Sequence, residues 1–233
     1  MSINAAKDKL IVALDVGSYD DARALVDSLG DSVTFYKIGL ELLFSDGLSL
    51  ARELKHEGKR VFLDLKFLDI GNTVERAVAS AAKLGVDFLT VHGHDSKTLR
   101  AAVRGRTGSN TKLLAVTVLT SLDQSDLDEQ GISATPGALV LSRAKLAQNA
   151  GFDGVIASGQ EAAAVRAKTG ADFLIVTPGI RLPGGDGGDQ SRITTPEQAL
   201  RDGADHLVVG RPITAAKDPK AAAETFLSHI AQA

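Results

Sequence analysis

Short apolar segments alternate with amphipathic, alanine-rich segments along the whole chain. The apolar segments are rich in β-branched residues, as the buried strands of parallel sheets are. They predict strands at Leu10–Val16, Thr34–Leu40, Arg60–Phe67, Asp87–Gly93, Lys112–Thr120, Gly154–Gly159, Phe173–Ile180 and His206–Ile213. Between them, helical spacing of apolar residues predicts helices such as Asn72–Gly85, Gln160–Lys168 and Pro219–Ala233. Strand and helix repeated about eight times predict an α/β chain folded as a (β/α)8 barrel.

A doubly wound sheet is the alternative fold for such a pattern. It usually has fewer units, and a G-x-G-x-x-G fingerprint follows its first strand. Here the first strand is followed by AspValGlySerTyrAsp at 15–20, without that fingerprint. No linker, low-complexity tract or repeat divides the chain, so we expect residues 1–233 to form a single barrel domain.

Composition and charge narrow the possible functions. A net charge of −3 and the absence of Trp give no reason to expect nucleic-acid binding. Because the chain has no Cys, it has neither disulfides nor a cysteine nucleophile. The N-terminus lacks the apolar centre of a signal peptide, and no apolar run approaches a membrane span. We therefore expect a soluble, cytoplasmic protein without a membrane partner.

Charged residues collect where the first three predicted strands end. Active sites of (β/α)8 barrels lie at the carboxyl ends of the strands. Because side chains alternate along a strand, Asp64 and Lys66 should share the face that points to the barrel mouth. Asp15 and Lys37 have the same parity on the first two strands. A solvated ion pair would explain any one of these charges, but burying the whole set is costly unless its members pair or do chemistry.

A glycine-rich segment follows the seventh predicted strand, and Gly210-Arg211 ends the eighth. The loops after these two strands are the usual phosphate site of the fold. Backbone N–H groups at glycines approach an anion closely, and Arg adds charge-assisted hydrogen bonds. Taken alone, Gly184–Gly188 is typical of a flexible loop; with Arg181, Gln190 and Arg211 around it, the segment predicts a phosphate site.

Taken together, these motifs resemble those of the orotidine 5′-phosphate decarboxylases, in their shorter, bacterial form. The central motif is Asp-x-Lys-x-x-Asp at 64–69, followed by IleGlyAsnThr at 70–73. The others are AlaLeuAspVal at 13–16, TyrLysIleGly at 36–39, ThrValLeuThrSer at 117–121, ThrProGlyIleArg at 177–181, AspGlnSerArg at 189–192 and ValGlyArgProIle at 209–213. The resemblance spans nearly the whole chain.

The resemblance implies decarboxylation of orotidine 5′-phosphate to UMP and CO₂ without a cofactor or metal, the last step of de novo pyrimidine nucleotide synthesis. It implies that Asp15 and Lys37 hold the ribose hydroxyls and that Lys37 also orders Asp64. Asp64 would lie against the substrate carboxylate, Lys66 would donate the proton, and Thr120 would contact the pyrimidine ring.

Two further sets of residues follow from the same resemblance. The phosphate or its loop would contact Arg181, Gln190, Gly210 and Arg211. Asp69 would reach, together with Thr73, into the site of a partner subunit. The resemblance therefore implies a homodimer whose active sites are shared across the interface.

The same chemistry is plausible from the residues themselves. Loss of CO₂ from this ring leaves a carbanion that cannot delocalise into the neighbouring carbonyls. A fixed cation in a site emptied of water stabilises such a charge. At about 4 Å and an effective dielectric constant of about 20, a unit charge pair contributes roughly 4 kcal/mol. Lys66 can supply this cation and then deliver its proton.

Two other functions remain open at this point. A magnesium-dependent sugar-phosphate decarboxylase or aldolase of the same barrel group would need a further metal-binding carboxylate after the second strand, and Glu41 is close to that position. A non-catalytic barrel that binds nucleotide phosphates is the other. His92 and His94 have a spacing that could ligate a metal, but we interpret them as structural.

Overall fold

The predicted barrel is present in the computed structural model, which describes residues 1–184 and 192–233. Eight parallel strands follow one another around a closed barrel in chain order, and β8 pairs with β1. They are β1 (Leu10–Ala13), β2 (Phe35–Ile38), β3 (Arg60–Phe67), β4 (Phe88–His92), β5 (Lys112–Val116), β6 (Gly154–Ile156), β7 (Leu174–Thr177) and β8 (His206–Val209).

Helices pack around the outside of this barrel. In the described ranges they are α1 (Ile3–Lys9), α2 (Tyr19–Leu29), α3 (Leu40–Leu42), α4 (Leu48–His56), α5 (Gly71–Ala82), α6 (Ser96–Gly105), α7 (Gln124–Glu129), α8 (Pro136–Ala150), α9 (Ala162–Thr169), α10 (Pro196–Arg201), α11 (Arg211–Thr214) and α12 (Pro219–Gln232). Side chains such as Ser18, Asp95 and Thr135 accept a backbone N–H in the first turn and so fix where a helix begins. None of these helices is long and apolar enough to cross a membrane.

Two apolar layers hold the fold together. The larger one lies between the strands and the helices. The smaller one fills the inside of the barrel and consists of Ile11, Ala13, Phe35, Phe62, Phe88, Leu114, Val176 and Val208. Because the interior is filled in this way, the cavity of the barrel opens above it, at the carboxyl ends of the strands.

The predicted strands are correct in number and order, but most of them extend too far at their carboxyl ends. The first ends at Ala13 rather than Val16, and the fifth at Val116 rather than Thr120. The eighth ends at Val209, because α11 begins at Arg211 with Pro212 in its first turn. Proline is favoured at such a helix start. The residues beyond the strand ends form the loops around the cavity, and helix α1 was not predicted.

Candidate active site

A cavity of about 560 Å³ opens at the carboxyl ends of the strands. Its apolar lining comes from barrel strands and includes Phe62, Val116, Ile156 and Val208. Its polar lining contains Asp15, Lys37, Glu41, Asp64, Lys66, Thr120, Ser121, Arg181 and Arg211. Most of the residues singled out in the sequence therefore surround one space.

The charged residues form a row of alternating sign inside this cavity. Lys37 Nζ lies 2.8 Å from Asp15 Oδ1 and 3.6 Å from Asp64 Oδ2. Lys66 Nζ lies 2.7 Å from the same Asp64 oxygen. The Lys37 and Asp64 side chains are only 9% and 13% exposed. Burial of these charges is tolerated because each cation lies against a carboxylate.

Gly39 allows the first pair of this row to form. A Cβ atom at this position would lie 2.7 Å from Asp15 Oδ1 and 3.0 Å from Lys37 Nζ. Any side chain here would therefore displace the ion pair. The glycine of the TyrLysIleGly motif is explained by this close approach rather than by a turn.

Lys66 occupies an irregular place in β3. Its φ is +49°, in the left-handed region that residues other than glycine seldom adopt. The pairing of β3 with β4 is shifted here: Leu63 pairs with Leu89 and Phe67 with Val91, so β3 contains two more residues between these pairs. Backbone strain of this kind costs about 1–3 kcal/mol and is typical of functional sites. The regular alternation assumed for Asp64 and Lys66 is therefore wrong at Lys66, although both side chains line the cavity.

The Asp64 carboxylate accepts two side-chain hydrogen bonds and lies close to two positively charged side chains. Thr90 Oγ1 donates to Asp64 Oδ1 at 2.9 Å, and Lys66 Nζ donates to Oδ2. Burial alone raises the pKa of Asp64, but the charges of Lys37 and Lys66 and these hydrogen bonds outweigh it. The net effect lowers the pKa, so Asp64 is a carboxylate at neutral pH.

The cavity continues to the loops that follow β7 and β8. Arg181, Gly210 and Arg211 line it there, next to Pro178 and Gly179. Arg181 is 9% exposed, and its Nη1 donates to the carbonyl of Ile180 at 3.0 Å. Gln190 and most of the glycine-rich segment lie outside the described residues.

Comparison with known proteins identifies the family. Residues 8–226 match the model of the orotidine 5′-phosphate decarboxylase / HUMPS family. The chain belongs to this family. A relative from Methylobacterium sp. (strain 4-46) is 56% identical over 230 residues, with 97% of each chain covered. A relative from Ruegeria pomeroyi is also 56% identical over 230 residues, covering 97% of this chain and 95% of that protein. Both are named orotidine 5′-phosphate decarboxylase.

A solved structure supports the same family membership. The crystal structure of orotidine 5′-phosphate decarboxylase from Lactobacillus acidophilus superposes with a TM-score of 0.84. The two sequences are 40% identical, and the match covers 96% of this chain and 99% of that one. The barrel of this family member and that of its relative therefore have the same architecture.

Asp69 and Thr73 do not line the cavity of this family member. Asp69 lies on the exposed segment that joins β3 to α5, and Thr73 is exposed in the first turn of α5. Asp69 Oδ1 accepts the N–H of Ile70 at 2.6 Å. Two large apolar side chains next to Asp69 are also exposed, Leu68 at 52% and Ile70 at 74%. A single chain therefore does not bring Asp69 to Lys66.

Sequence reasoning missed Thr90 and the apolar lining. Thr90 belongs to the same strand as His92 and has the same parity, which is the signal that could have identified it.

The rings of His92 and His94 lie 4.8 Å apart, and burial, with the nearby charges of His94, Lys66 and Arg143, lowers the pKa of His92 to about 4. Residues 1–184 and 192–233 contain no group of three or more His, Cys, Asp or Glu that could hold a metal ion.

Proposed function

We propose that this chain decarboxylates orotidine 5′-phosphate to UMP and CO₂, the last step of de novo pyrimidine nucleotide synthesis, without a cofactor. The names of its relatives support this substrate. The observation that carries the proposal is the row Asp15–Lys37–Asp64–Lys66 at the cavity wall, in which the Lys37 and Asp64 side chains are 9% and 13% exposed. In the proposed reaction, the Lys66 ammonium group of this row, already held by a carboxylate, lies where negative charge develops.

Lys66 is the proton donor of the proposed reaction. The bond between the ring carbon and the carboxylate breaks, CO₂ leaves, and the electron pair stays on the ring carbon. The Lys66 ammonium stabilises this charge by roughly 4 kcal/mol at a separation of about 4 Å. It then transfers its proton to that carbon and is reprotonated from solvent. Asp64 faces the departing carboxylate, and their repulsion is relieved as CO₂ forms.

The rest of the cavity holds the nucleotide. Asp15 and Lys37 bind the ribose hydroxyls, and Thr120 contacts the pyrimidine ring. The phosphate occupies the other end, where it contacts Arg181, Gln190, Gly210 and Arg211. Binding energy from this remote phosphate contributes to organising the reacting end of the substrate.

The active form is a homodimer in which Asp69 and Thr73 enter the partner's site. The support is the exposure of both side chains, Asp69 just before α5 and Thr73 in its first turn, outside the cavity of their own chain. Apolar side chains near the same end of the barrel are also exposed, with Phe44 at 88% and Ile70 at 74%. In the proposed dimer, the partner chain covers these side chains.

Complementation between two inactive variants tests the shared site. Lys66→Ala and Asp69→Ala are each expected to lose nearly all turnover. In a mixed dimer, one pocket has its own Lys66 and receives an intact Asp69 from the other chain, while the opposite pocket lacks both. Random exchange of equal amounts makes about half the dimers mixed, so activity should recover to about a quarter of that of the wild type.

Subunit exchange is demonstrated separately by native mass spectrometry of differently labelled chains. Each variant exchanged with its own kind is the control and should stay inactive. If exchange is complete and the mixture is inactive, Asp69 acts within its own chain and the interface-spanning site is refuted.

Turnover of orotidine 5′-phosphate, followed by the loss of its ultraviolet absorbance, tests the proposed function itself. The assay is run before and after exhaustive chelation. Glu41 lines the cavity, as a magnesium-dependent sugar-phosphate enzyme of the same barrel group would require. Unchanged turnover after chelation excludes that alternative. Tight binding of UMP without turnover would instead support a non-catalytic nucleotide-binding barrel.

A further inference from the structure

The side chain of Thr90 forms hydrogen bonds to both Asp64 and Lys66, two charged residues of the cavity. Its hydroxyl donates to Asp64 Oδ1 at 2.9 Å. The hydroxyl oxygen of Thr90 also accepts the backbone N–H of Lys66, likewise at 2.9 Å. The side chain is 0% exposed and does not line the cavity. Thr90 therefore contacts both residues without being available to a ligand.

The bond to Lys66 lies where the sheet is irregular. Lys66 has a φ of +49°, and the register between β3 and β4 shifts on either side of it. In a regular parallel ladder, a backbone carbonyl of the neighbouring strand accepts each N–H that points towards that strand. At Lys66, the hydroxyl of Thr90 on β4 accepts the N–H instead of a backbone carbonyl. A buried N–H without a partner is strongly disfavoured, so the hydroxyl stabilises the left-handed conformation of Lys66.

The bond to Asp64 fixes the orientation of the carboxylate. With Oδ1 held by Thr90, Oδ2 is turned towards Lys66 Nζ at 2.7 Å and Lys37 Nζ at 3.6 Å. A hydroxyl has one proton, and here the carboxylate accepts it, while a lone pair accepts the Lys66 N–H. One side chain thus sets both the backbone that carries Lys66 and the carboxylate that faces its ammonium group.

We propose that Thr90 is a positioning residue that holds Lys66 and Asp64 in the geometry required for proton transfer. The inference rests on the proposed decarboxylase function and adds to it a residue that touches neither the substrate nor the reacting atoms.

Isosteric replacement separates the hydroxyl from its volume. Thr90→Val removes both hydrogen bonds and keeps the shape, whereas Thr90→Ser keeps the hydroxyl. Thr111→Val is the matched control, because Thr111 is 1% exposed and its hydroxyl also donates once, to Val86 O, and accepts once, from Ser109, at the opposite end of the barrel. We expect Thr90→Val to lower kcat about 10- to 100-fold, the size of a hydrogen bond to a charged group, with KM near that of the wild type. Thr90→Ser and Thr111→Val should keep kcat close to that of the wild type.

A second measurement does not depend on turnover. The hydrogen bond from Thr90 favours the ionised form of Asp64. In Thr90→Val the pKa of Asp64 should therefore rise, and in Thr90→Ser it should not. The carboxyl ¹³C shift of Asp64, assigned with Asp64→Asn, follows this titration from neutral pH downwards. The acid limb of the kcat profile should move in the same direction.

The outcomes separate the two proposals. If the wild type does not turn over orotidine 5′-phosphate but the Asp64 titration depends on the Thr90 hydroxyl, the proposed function fails and the contact stands. Equal kcat in Thr90→Val and wild type, equal losses in the valine and serine variants, or an unchanged Asp64 titration would each overturn the role of Thr90. Should Thr90→Val not fold, Thr90→Ala removes the hydroxyl without placing a methyl group against Asp64.

Discussion

Replacing His206 with glutamine should remove a pH-dependent contribution to the stability of the barrel. His206 lies at the end opposite to the cavity, with its ring edge-on to Phe35 at 5.9 Å and to Phe88 at 5.2 Å. Its Nδ1 donates to the carbonyl of Asp8 at 2.9 Å. Burial, together with the positive charge of Arg60, lowers the pKa of His206 from 6.5 to about 4.

The magnitude follows from the difference between these two pKa values. Between pH 6.5 and pH 4 the unfolded chain binds a proton at His206 and the folded chain does not, so stability falls as the pH is lowered through this window. The loss is about 2 kcal/mol at pH 5 and about 3 kcal/mol at pH 4, relative to neutral pH. Below the folded pKa both states bind the proton, and the loss stops growing.

Urea unfolding of wild type and His206→Gln across this pH range measures the effect. All other titrating groups are shared, so the difference between the two unfolding free energies isolates His206. That difference should shift in favour of the variant by about 3 kcal/mol between neutral pH and pH 4. His56→Gln, at an exposed position of α4, controls for the loss of an imidazole. A difference that stays constant with pH would refute the assignment of a neutral, partly buried His206.

Two substitutions test the roles proposed in the cavity. Lys66→Ala should abolish nearly all turnover while UMP still binds, because the proton donor is lost and the phosphate end is intact; a variant that kept a tenth of wild-type kcat, a loss of only about 1.4 kcal/mol, would rule out the donor role. Arg211→Ala should raise KM for orotidine 5′-phosphate and leave the slow turnover of unphosphorylated orotidine unchanged. Equal losses on both compounds would instead indicate damage to the barrel.

The fold could be predicted because its signal is repeated. Eight β-branched segments, each followed by a helical pattern, specify the barrel even where single boundaries are wrong. The errors lie at the carboxyl ends of the strands, as at Val116, where the chain leaves the ladder while its apolar pattern continues through Val118. Apolar side chains are buried both in strands and beneath loops, so hydrophobicity alone does not mark this boundary.

Only part of the candidate site could be predicted from the sequence. Asp15, Lys37 and Asp64 could be brought together because strand parity and charge both pointed to the barrel mouth. The left-handed backbone of Lys66 and its contact with Thr90 depend on the register between β3 and β4, which no local pattern in either strand encodes. Asp69 is exposed and does not line the cavity of its own chain, so its proposed role depends on a second chain.

The geometry of Lys66 also bears on how the proposed reaction is accelerated. Its ammonium group lies 2.7 Å from Asp64, on a strained backbone held by Thr90. Contacts within the chain therefore orient the cation, so little reorganisation is needed during the proposed reaction. A substrate carboxylate that entered this row would be attracted by the Lys66 ammonium group and repelled by the Asp64 carboxylate. The carbanion left after loss of CO₂ would keep the attraction to Lys66, whereas the repulsion between the two carboxylates would be gone. An arrangement that binds the product-forming state better than the ground state raises kcat rather than merely lowering KM. In this account the negative charge of Asp64 contributes twice, because it orients Lys66 and also disfavours the carboxylate that must leave.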